Sequence, residues 1–388
     1  MNRKPPRTPA TRASARPAAA PAVDEPIRWL APDGAWVGPK ETRKDAKRPA
    51  PEFLRSLYRG MVRLRLVDAR MLVLQRQGRI GFYGQCTGQE AAIVGSAAAL
   101  QPQDWVAPAL REAGVALWRG MQLDRMIAQC MGKASEPSQG RQMPCHHTFK
   151  EGNFVSMSSV IATQLLHATG IALAARLRNE PVVCMGYLGD GATSEHDFHG
   201  ALNFAAVLRA PVVFFCQNNQ WAISVPVSRQ TAARTLAVKA VAYGMPGVRV
   251  DGNDVLAVHA ETRKAVERAR AGGGPTLIEA ITFRRSGHSS SDDPTRYRSD
   301  AEVKKWEQLD PIDRFRRHLR SQKLLTDAQE QQLEAEIQAE ISEAIAAAEK
   351  GKEPAPASLF ADVHAEMTPQ LIEQRDLLLA YREGTHHS

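Results

Sequence analysis

The chain has 388 residues, 43% hydrophobic and 24% charged, a composition typical of a globular protein with two or three domains of roughly 100 to 200 residues. Its formal net charge is +8, yet residues 1–50 alone hold eleven Lys or Arg against five Asp or Glu. The excess charge therefore predicts a basic tail and argues against a nucleic-acid-binding surface. No apolar run reaches the roughly 18 residues that a membrane-spanning helix needs, so we expect no membrane partner.

The cysteines are odd in number, scattered and without CxxC spacing. This pattern argues against a disulfide framework or a structural zinc site. It predicts reduced thiols that behave as small buried hydrophobic residues, namely Cys86, Cys130, Cys145, Cys184 and Cys216.

The N-terminal segment is built almost entirely of Ala, Pro, Arg, Ser and Thr over residues 1–22, with no acidic residue before Asp24. Such a composition has little to bury, so we expect residues 1–50 to be a disordered basic segment and linker. The arginines are similar to those of a mitochondrial transit peptide, but a clear amphipathic period is missing. A bacterial cytoplasmic protein with an unstructured tail is our prediction, with the mitochondrial matrix as the alternative.

Apolar residues at three- and four-residue intervals predict a helix over residues 51–77. Beyond it, short continuous apolar runs are separated by helical patterns, which is typical of a parallel sheet covered on both faces. We therefore predict a doubly wound α/β domain over residues 51–320. The predicted strands lie in residues 181–188, 210–216, 248–250 and 276–283, and the predicted helices in 194–208 and 255–271.

The C-terminal part has a helical pattern without polar residues suited to chemistry. Thr326 and Gln329 fit a capping box, and apolar residues then recur every four positions until Gly351. We expect residues 321–388 to be a helical region that packs against the core or another subunit. The recurring residues are Leu333, Ile337, Ile341 and Ile345.

Polar residues follow two neighbouring predicted strands. Gly189-Asp190-Gly191 comes after the first of them, and Asn218-Asn219 follows the second. In a doubly wound sheet, ligands bind beyond the carboxyl ends of the strands, so these two segments are expected to meet at one site.

The residue types at this edge suit a diphosphate held through Mg²⁺. That ion prefers octahedral oxygen ligands, usually one or two from the protein and the rest from phosphate and water. Asp190 would supply a carboxylate, Asn219 an amide oxygen and Trp221 its backbone carbonyl. The flanking glycines would allow the backbone to approach the phosphates closely.

The stretch that carries this pattern, GYLGDGATSEHDFHGALNFAAVLRAPVVFFCQNNQWAISVP, resembles the thiamine diphosphate motif of the α subunits of 2-oxoacid dehydrogenases. Similarity runs from about Arg55 to the C-terminus and includes REAGVALWRG, GRQMPCHHTF, SSVIATQ, RVDGNDV and GHSSSDDPTRYRS. The resemblance implies thiamine diphosphate and Mg²⁺ as cofactors and a 2-oxoacid as substrate. It also implies a β subunit in a heterotetramer with two of each chain, and a dihydrolipoyl acyltransferase core whose lipoyl domain accepts the acyl group.

The resemblance also implies a set of cofactor-binding residues. Arg111 matches an arginine on the diphosphate, while Ser159 and Ile161 match residues that line the aminopyrimidine. Leu110 and Val160 depart from a tyrosine and a proline that are common at these positions. The complete implied cofactor set is Arg111, Ser159, Ile161, Gly189, Asp190, Gly191, Ala192, Gln217, Asn219 and His288.

Gln217 stands where the animal enzymes have a phosphate-binding arginine, so we expect Arg111 and Mg²⁺ to carry more of the phosphate charge. The match at Ser158, Thr163 and Gln164 raises a monovalent cation such as K⁺ as an additional cofactor. His146 and His147 are candidates for the entrance of the active site, with an ordinary structural role in their loop as the alternative.

His288 is the catalytic candidate. It lies in a polar loop with no apolar core to hold it, and the resemblance implies that it reaches the reacting centre of the cofactor. A side chain that titrates near neutral pH suits such a role. We expect charge pairs among Arg284, Asp292, Tyr297 and Arg298 to order the loop. Ser289 occupies the position that animal enzymes phosphorylate.

The activating glutamate of this family lies in the β chain, so the resemblance implies an active site formed between two chains. GRQMPCHH and GHSSSDD favour a branched-chain 2-oxoacid as substrate, with pyruvate or acetoin dehydrogenase as the alternative. Two other classes compete with an enzyme: a nucleic-acid-binding protein, and a scaffold subunit without a cofactor. The hypothesis of a scaffold subunit predicts that Asp190 or Asn219 has been lost, yet both residues are present.

Overall fold

The fold is a parallel sheet covered by helices, seen in a computed structural model that describes residues 25–39 and 49–384. Five strands form the sheet in the order β1-β2-β3-β7-β6, and every neighbouring pair is parallel. The strands are β1 Trp105–Ala107, β2 Cys184–Gly189, β3 Val212–Asn218, β6 Gly247–Asp251 and β7 Thr276–Ile281, while β4 Trp221–Ala222 and β5 Val225–Pro226 form a short antiparallel ribbon. The predicted doubly wound α/β class is confirmed.

The described α-helices separate these strands and extend to the C-terminal region. They are α1 Pro51–Arg76, α2 Glu90–Ala97, α3 Ala113–Trp118, α4 Leu123–Cys130, α5 Thr163–Leu177, α6 His196–Val207, α7 Val255–Arg268, α8 Asp300–Glu307, α9 Pro311–Ser321, α10 Asp327–Glu349, α11 Ser358–Ala361 and α12 Pro369–Arg382. Each helix and strand predicted from periodicity is present, with its ends shifted by a few residues.

The two faces of the sheet bury two apolar clusters. Helices α5 and α6 cover one face with small residues, so that they pack closely on strands β2 and β3, which are buried except at Gly189. Helices α2 and α7 pack together on the opposite side, and α1 lies outside them. Because both faces are covered, β2 and β3 are apolar along most of their length, which is the pattern read from the sequence.

The C-terminal helix α10 begins with the predicted capping box. The Thr326 side chain accepts the backbone N–H of Gln329 at 3.2 Å, and the Gln329 side chain accepts the backbone N–H of Thr326 at 2.9 Å. Ile337, Ile341 and Ile345 are buried against α1 and α4. The C-terminal region predicted from residue 321 thus shares the main core through this helix.

Part of the predicted N-terminal linker is ordered, which corrects the expectation for residues 25–39. Ile27 pairs with Val250 beside the edge strand β6. The buried Asp254 carboxylate accepts the backbone N–H groups of Trp29 and Leu30 at 2.7 and 2.6 Å. These hydrogen bonds satisfy the backbone N–H groups of the segment and fix it to the core. Amino-acid composition gives no information about such long-range partners. The prediction for residues 1–24 and 40–48 lies outside the described residues.

All five cysteines are buried and free, as predicted. Over the described ranges, no helix is long and apolar enough to cross a membrane.

Candidate active site

The carboxyl ends of β2 and β3 bring Asp190 and Asn219 together. Gly189 pairs in register with Gln217, so the residues that follow each strand lie side by side. The backbone N–H of Asn219 donates to the carbonyl of Gln217 at 2.9 Å, and it lies close enough to the Asp190 carboxylate to oppose the rise in the pKa of that group. The sequence expectation that the two segments meet at one edge agrees with this placement.

Asp190 is a buried carboxylate, 1% exposed. Its Oδ2 accepts the Gln230 side-chain N–H at 2.6 Å, and within the described residues no cation forms an ion pair with it. Burial raises the pKa of Asp190, an effect opposed by hydrogen bonds from Gln230 and the backbone and by the charge of Arg284. A carboxylate desolvated in this way favours a bound cation.

The side-chain amide of Asn219 is held in one orientation. Its Nδ2 donates to Gln89 Oε1 at 3.1 Å, and its Oδ1 accepts the backbone N–H of Trp221 at 3.3 Å. The carbonyl of Trp221 accepts Arg284 Nη1 at 3.0 Å, which leaves this oxygen a second lone pair. The predicted ligands Asn219 and Trp221 are thus joined by a hydrogen bond, at the carboxyl end of the strand next to the one that Asp190 follows.

The glycines of the turn have different environments. A Cβ at Gly191 would lie 2.6 Å from the Ala222 Cβ, so close approach of β4 requires glycine there. At Gly189 no heavy atom beyond its two chain neighbours lies within 4 Å of the position of a Cβ, and its φ of −92° is open to any residue. Gly189 therefore leaves space beside the backbone that a phosphate group could fill, and Ala192 lies buried in the 3₁₀ turn that follows. A carboxylate, an amide and a carbonyl beside such space fit a diphosphate bound through Mg²⁺.

Arg111 lies next to His288 in the structure. One guanidinium nitrogen donates to the carbonyl of Gln85, and the other donates to the carbonyl of His288 at 2.7 Å. The same nitrogen lies 3.3 Å from His288 Nδ1. Since an arginine only donates, Nδ1 accepts and the ring proton is assigned to Nε2.

The electrostatics of His288 differ from the expectation of a group that titrates near neutral pH. Burial, together with the charges of Arg111 and Arg284, lowers the pKa of His288 to about 4. The imidazole of this chain is therefore neutral at pH 7. It can donate one hydrogen bond from Nε2, whereas protonation is unfavourable.

The loop that carries His288 is ordered in part through a tyrosine hydroxyl. Arg284 Nη2 donates to the Tyr297 hydroxyl at 2.8 Å, and this hydroxyl donates to Asp292. Asp292 in turn accepts the backbone N–H of His288 at 2.6 Å. Arg298 donates to the carbonyls of residues 284–286, so hydrogen bonds act together with the charge attraction between Arg284 and Asp292 in ordering the loop.

The SSVIATQ segment presents its predicted cofactor-lining residues at the surface of the chain. Ser159 and Val160 are exposed, and Ile161 is 58% exposed. His146 Nε2 bonds the Ser159 hydroxyl, which puts this histidine beside a predicted site residue. His147 is buried, and neither ring nitrogen has a partner in the structure.

Three polar residues near the site were absent from the sequence predictions. Gln89 orients Asn219, Gln230 bonds Asp190, and Glu112 accepts a hydrogen bond from Gln217. Glu112 directly follows Arg111 in the REAGVALWRG motif, and this neighbouring position was the one sequence feature that could have pointed to a role for it at the site. Gln89 and Gln230 come from other segments, and only the folded chain brings them to the site.

A parallel α/β sheet with a buried carboxylate, an amide and open glycine space at its carboxyl edge defines an enzyme of the cofactor-binding, doubly wound class. The model of the dehydrogenase E1 component family matches residues 58–357. The chain belongs to the dehydrogenase E1 component family. This membership confirms the resemblance drawn from the motifs.

Curated relatives cover most of the chain. The 3-methyl-2-oxobutanoate dehydrogenase subunit alpha of Mycobacterium tuberculosis is 47% identical over 92% of this chain and 94% of its own length. The mitochondrial 2-oxoisovalerate dehydrogenase subunit alpha of Homo sapiens is 43% identical over 91% of this chain and 79% of its own. The Arabidopsis thaliana subunit alpha 2 is 43% identical over 85% and 70%.

Proposed function

We propose that this chain is the thiamine diphosphate-binding α subunit of a branched-chain 2-oxoacid dehydrogenase. The assembled enzyme would decarboxylate 3-methyl-2-oxobutanoate and related 2-oxoacids oxidatively and transfer the acyl group to lipoamide. The names and high identity of relatives from a bacterium, a plant and an animal support this substrate class. Pyruvate or acetoin is the alternative substrate.

Among these relatives, the bacterial one has the highest identity, which supports a bacterial cytoplasmic location over the mitochondrial matrix.

The observation that carries the proposal is the buried carboxylate of Asp190 beside Asn219 and the open space at Gly189. Asp190, Asn219 and the Trp221 carbonyl would hold Mg²⁺, and the metal would hold the diphosphate. Gly191 and Ala192 would line the same turn, while Arg111 and Gln217 would bind the diphosphate.

Thiamine diphosphate supplies an electron sink for decarboxylation when it is bound. In this chain, His288 would act through its neutral imidazole by donating from Nε2 to an oxygen that gains negative charge. Arg111 fixes this tautomer, since its guanidinium occupies the Nδ1 side. Asp292 fixes the position of the loop by accepting the backbone N–H of His288.

A β subunit would complete the site. Ser159, Val160 and Ile161 are exposed here, although an aminopyrimidine-binding surface has to exclude water. Coverage by a β chain, in a heterotetramer with two of each chain, would bury these residues. The acyltransferase core with its lipoyl domain would then take the acyl group.

A monovalent cation site at Ser158, Thr163 and Gln164 is a further part of the proposal. The Gln164 side chain is buried and donates to the carbonyl of Tyr187 at 2.8 Å. Its Oε1 has no hydrogen-bond partner in the structure. A buried oxygen without a donor suits K⁺.

The test is co-expression with the β subunit and measurement of decarboxylation across branched and straight-chain 2-oxoacids. We expect the highest kcat/KM with branched substrates, strict dependence on thiamine diphosphate, and loss of activity when a chelator removes divalent ions. A higher kcat/KM with pyruvate would favour the alternative substrate. An assembled complex that binds no thiamine diphosphate would refute the proposed function.

A further inference from the structure

The carboxyl group of Glu112 lies between two proposed diphosphate-binding residues. Its Oε1 accepts the side-chain N–H of Gln217, and its Oε2 accepts the backbone N–H of Arg111 at 3.1 Å. Glu112 is 2% exposed and Gln217 is 3% exposed. The two side chains are therefore shielded from water. Whether the Glu112 carboxyl group carries a proton decides whether the Gln217 amide must donate to it or can accept from it.

The orientation of the Gln217 amide is unfavourable for an anion. Its nitrogen faces Glu112, and its Oε1 is buried without a partner. Gln217 is the register partner of Gly189, so its side chain points to the face of the sheet on which a Cβ at Gly189 would lie, where the open space is. A diphosphate in the space beside Gly189 would meet the unpartnered oxygen, and the two would repel each other.

Rotation of the amide by 180° removes this conflict. The Gln217 nitrogen then faces the diphosphate as a donor, while its oxygen faces Glu112. An ionised Glu112 would repel that oxygen. A protonated Glu112 donates to it, so the rotated amide and the extra proton stabilise each other.

Resting on the proposed function, we propose that Glu112 takes up a proton when the cofactor binds and thereby turns the Gln217 amide nitrogen toward the diphosphate. Glu112 is thus a positioning residue that makes cofactor binding depend on pH. An arginine at position 217 would instead pair with an ionised Glu112 and still donate to the diphosphate.

The charges around Glu112 agree with this assignment. Burial raises the pKa of Glu112 to about 7, against hydrogen bonds from the backbone of Ala109, Arg111 and Glu112 itself and against the charge of Arg111. Tyr187 faces Glu112 from β2, and because burial raises its own pKa it stays neutral. Arg111 itself interacts with the charges of Arg284, Cys86 and Asp68 and contacts His288, and Arg119 acts on Tyr187.

The sign of the pH dependence follows from this pKa. Below pH 7 Glu112 is mostly protonated before the cofactor binds, so the affinity is at its full value. Above pH 7 a proton must be taken up, and the affinity falls by about tenfold for each pH unit. A bound diphosphate raises the pKa of Glu112 further, since like charges disfavour ionisation.

The experiment is titration of thiamine diphosphate at saturating Mg²⁺ into the assembled complex with its β chain, from pH 6 to 9, followed by tryptophan fluorescence. Calorimetry in two buffers of different ionisation enthalpy counts the protons taken up. For the wild-type complex we expect uptake of about one proton at pH 8. This count needs no variant, so it does not depend on whether a substituted chain folds.

Two variants and a control define the group responsible. Glu112→Gln should bind with no proton uptake and only the pH dependence of the cofactor itself, because its amide can donate to Gln217 permanently. Gln217→Arg should likewise lose the uptake. Glu180→Gln, an exposed substitution after α5, should keep the wild-type profile.

The inference would be overturned if the Glu112→Gln complex showed the same proton uptake and the same pH profile as the wild type. A wild-type complex that binds the cofactor without proton uptake at pH 8 would also overturn it. In both cases the cofactor still binds and the proposed function stands. Absence of binding at every pH would instead refute the proposed function and this inference with it.

Discussion

Replacement of Asp190 by Asn should separate cofactor retention from folding. The substitution keeps the volume of the side chain and an oxygen that can accept the N–H of Gln230. It removes the negative charge, which burial makes costly, as the raised pKa of Asp190 indicates. We therefore expect the cofactor-free complex to melt at the wild-type temperature or above it.

The sign follows from linkage. An acid whose pKa is raised in the folded state contributes stability at low pH, and this contribution is lost as the pH rises through the folded pKa. At neutral pH the ionised Asp190 thus opposes folding until a cation binds. The benefit of the carboxylate appears only with Mg²⁺ and the diphosphate.

The cofactor should stabilise the wild-type complex by mass action. At a free concentration of about 100 times Kd, binding to the folded state contributes about 2.7 kcal/mol. A gain of this size raises the melting temperature of a large domain by on the order of 5 °C. Asp190→Asn should show almost none of this rise at the same cofactor and Mg²⁺ concentrations.

Differential scanning calorimetry of the assembled complex, with and without thiamine diphosphate and Mg²⁺, measures both effects. Asp197→Asn is a matched control, since this residue lies on α6 and contacts the exposed His196. The control should keep the full cofactor-induced rise. An equal rise in Asp190→Asn and in the wild type would refute the metal-ligand assignment.

Three further predictions concern the partner and the His288 loop. The purified chain without its β subunit should show no decarboxylation, and robust activity of the isolated chain would contradict a site shared between chains. His288→Ala should lower kcat of the reconstituted enzyme by a factor on the order of 10² while cofactor affinity changes far less; near-normal turnover would leave this histidine a structural role. Tyr297→Phe removes the hydroxyl between Arg284 and Asp292, so limited proteolysis should cleave the loop faster, and an unchanged cleavage rate would argue against that connection.

The sequence predicted the sheet well because its strands are buried on both faces. β2 and β3 appear as continuous apolar runs, and α1 and α10 have one clear apolar face each. Helix α2 was missed since all eight of its residues are buried, which removes the alternation between apolar and polar positions. The short strand β1 has three residues, too few to show a period.

Some features of the candidate site could likewise be predicted from the sequence, and others could not. Asp190 and Asn219 follow strands that the sequence reveals, and parallel strands end at a common edge, so their meeting could be predicted. The tautomer of His288 could not, because it depends on Arg111, which is 177 residues away in the chain. The same holds for Gln89, which lies 130 residues from the Asn219 amide that it orients.

The sequence by itself determined the fold class, the positions of the main strands along the chain and the residue types at the carboxyl edge of the sheet, since these depend on local periodicity and on the ends of strands. Only the tertiary structure decided the protonation and orientation of the polar groups. It lowers the pKa of His288 to about 4 and raises that of Glu112 to about 7. Both shifts come mainly from burial, and burial is a property of what the whole chain packs around a group.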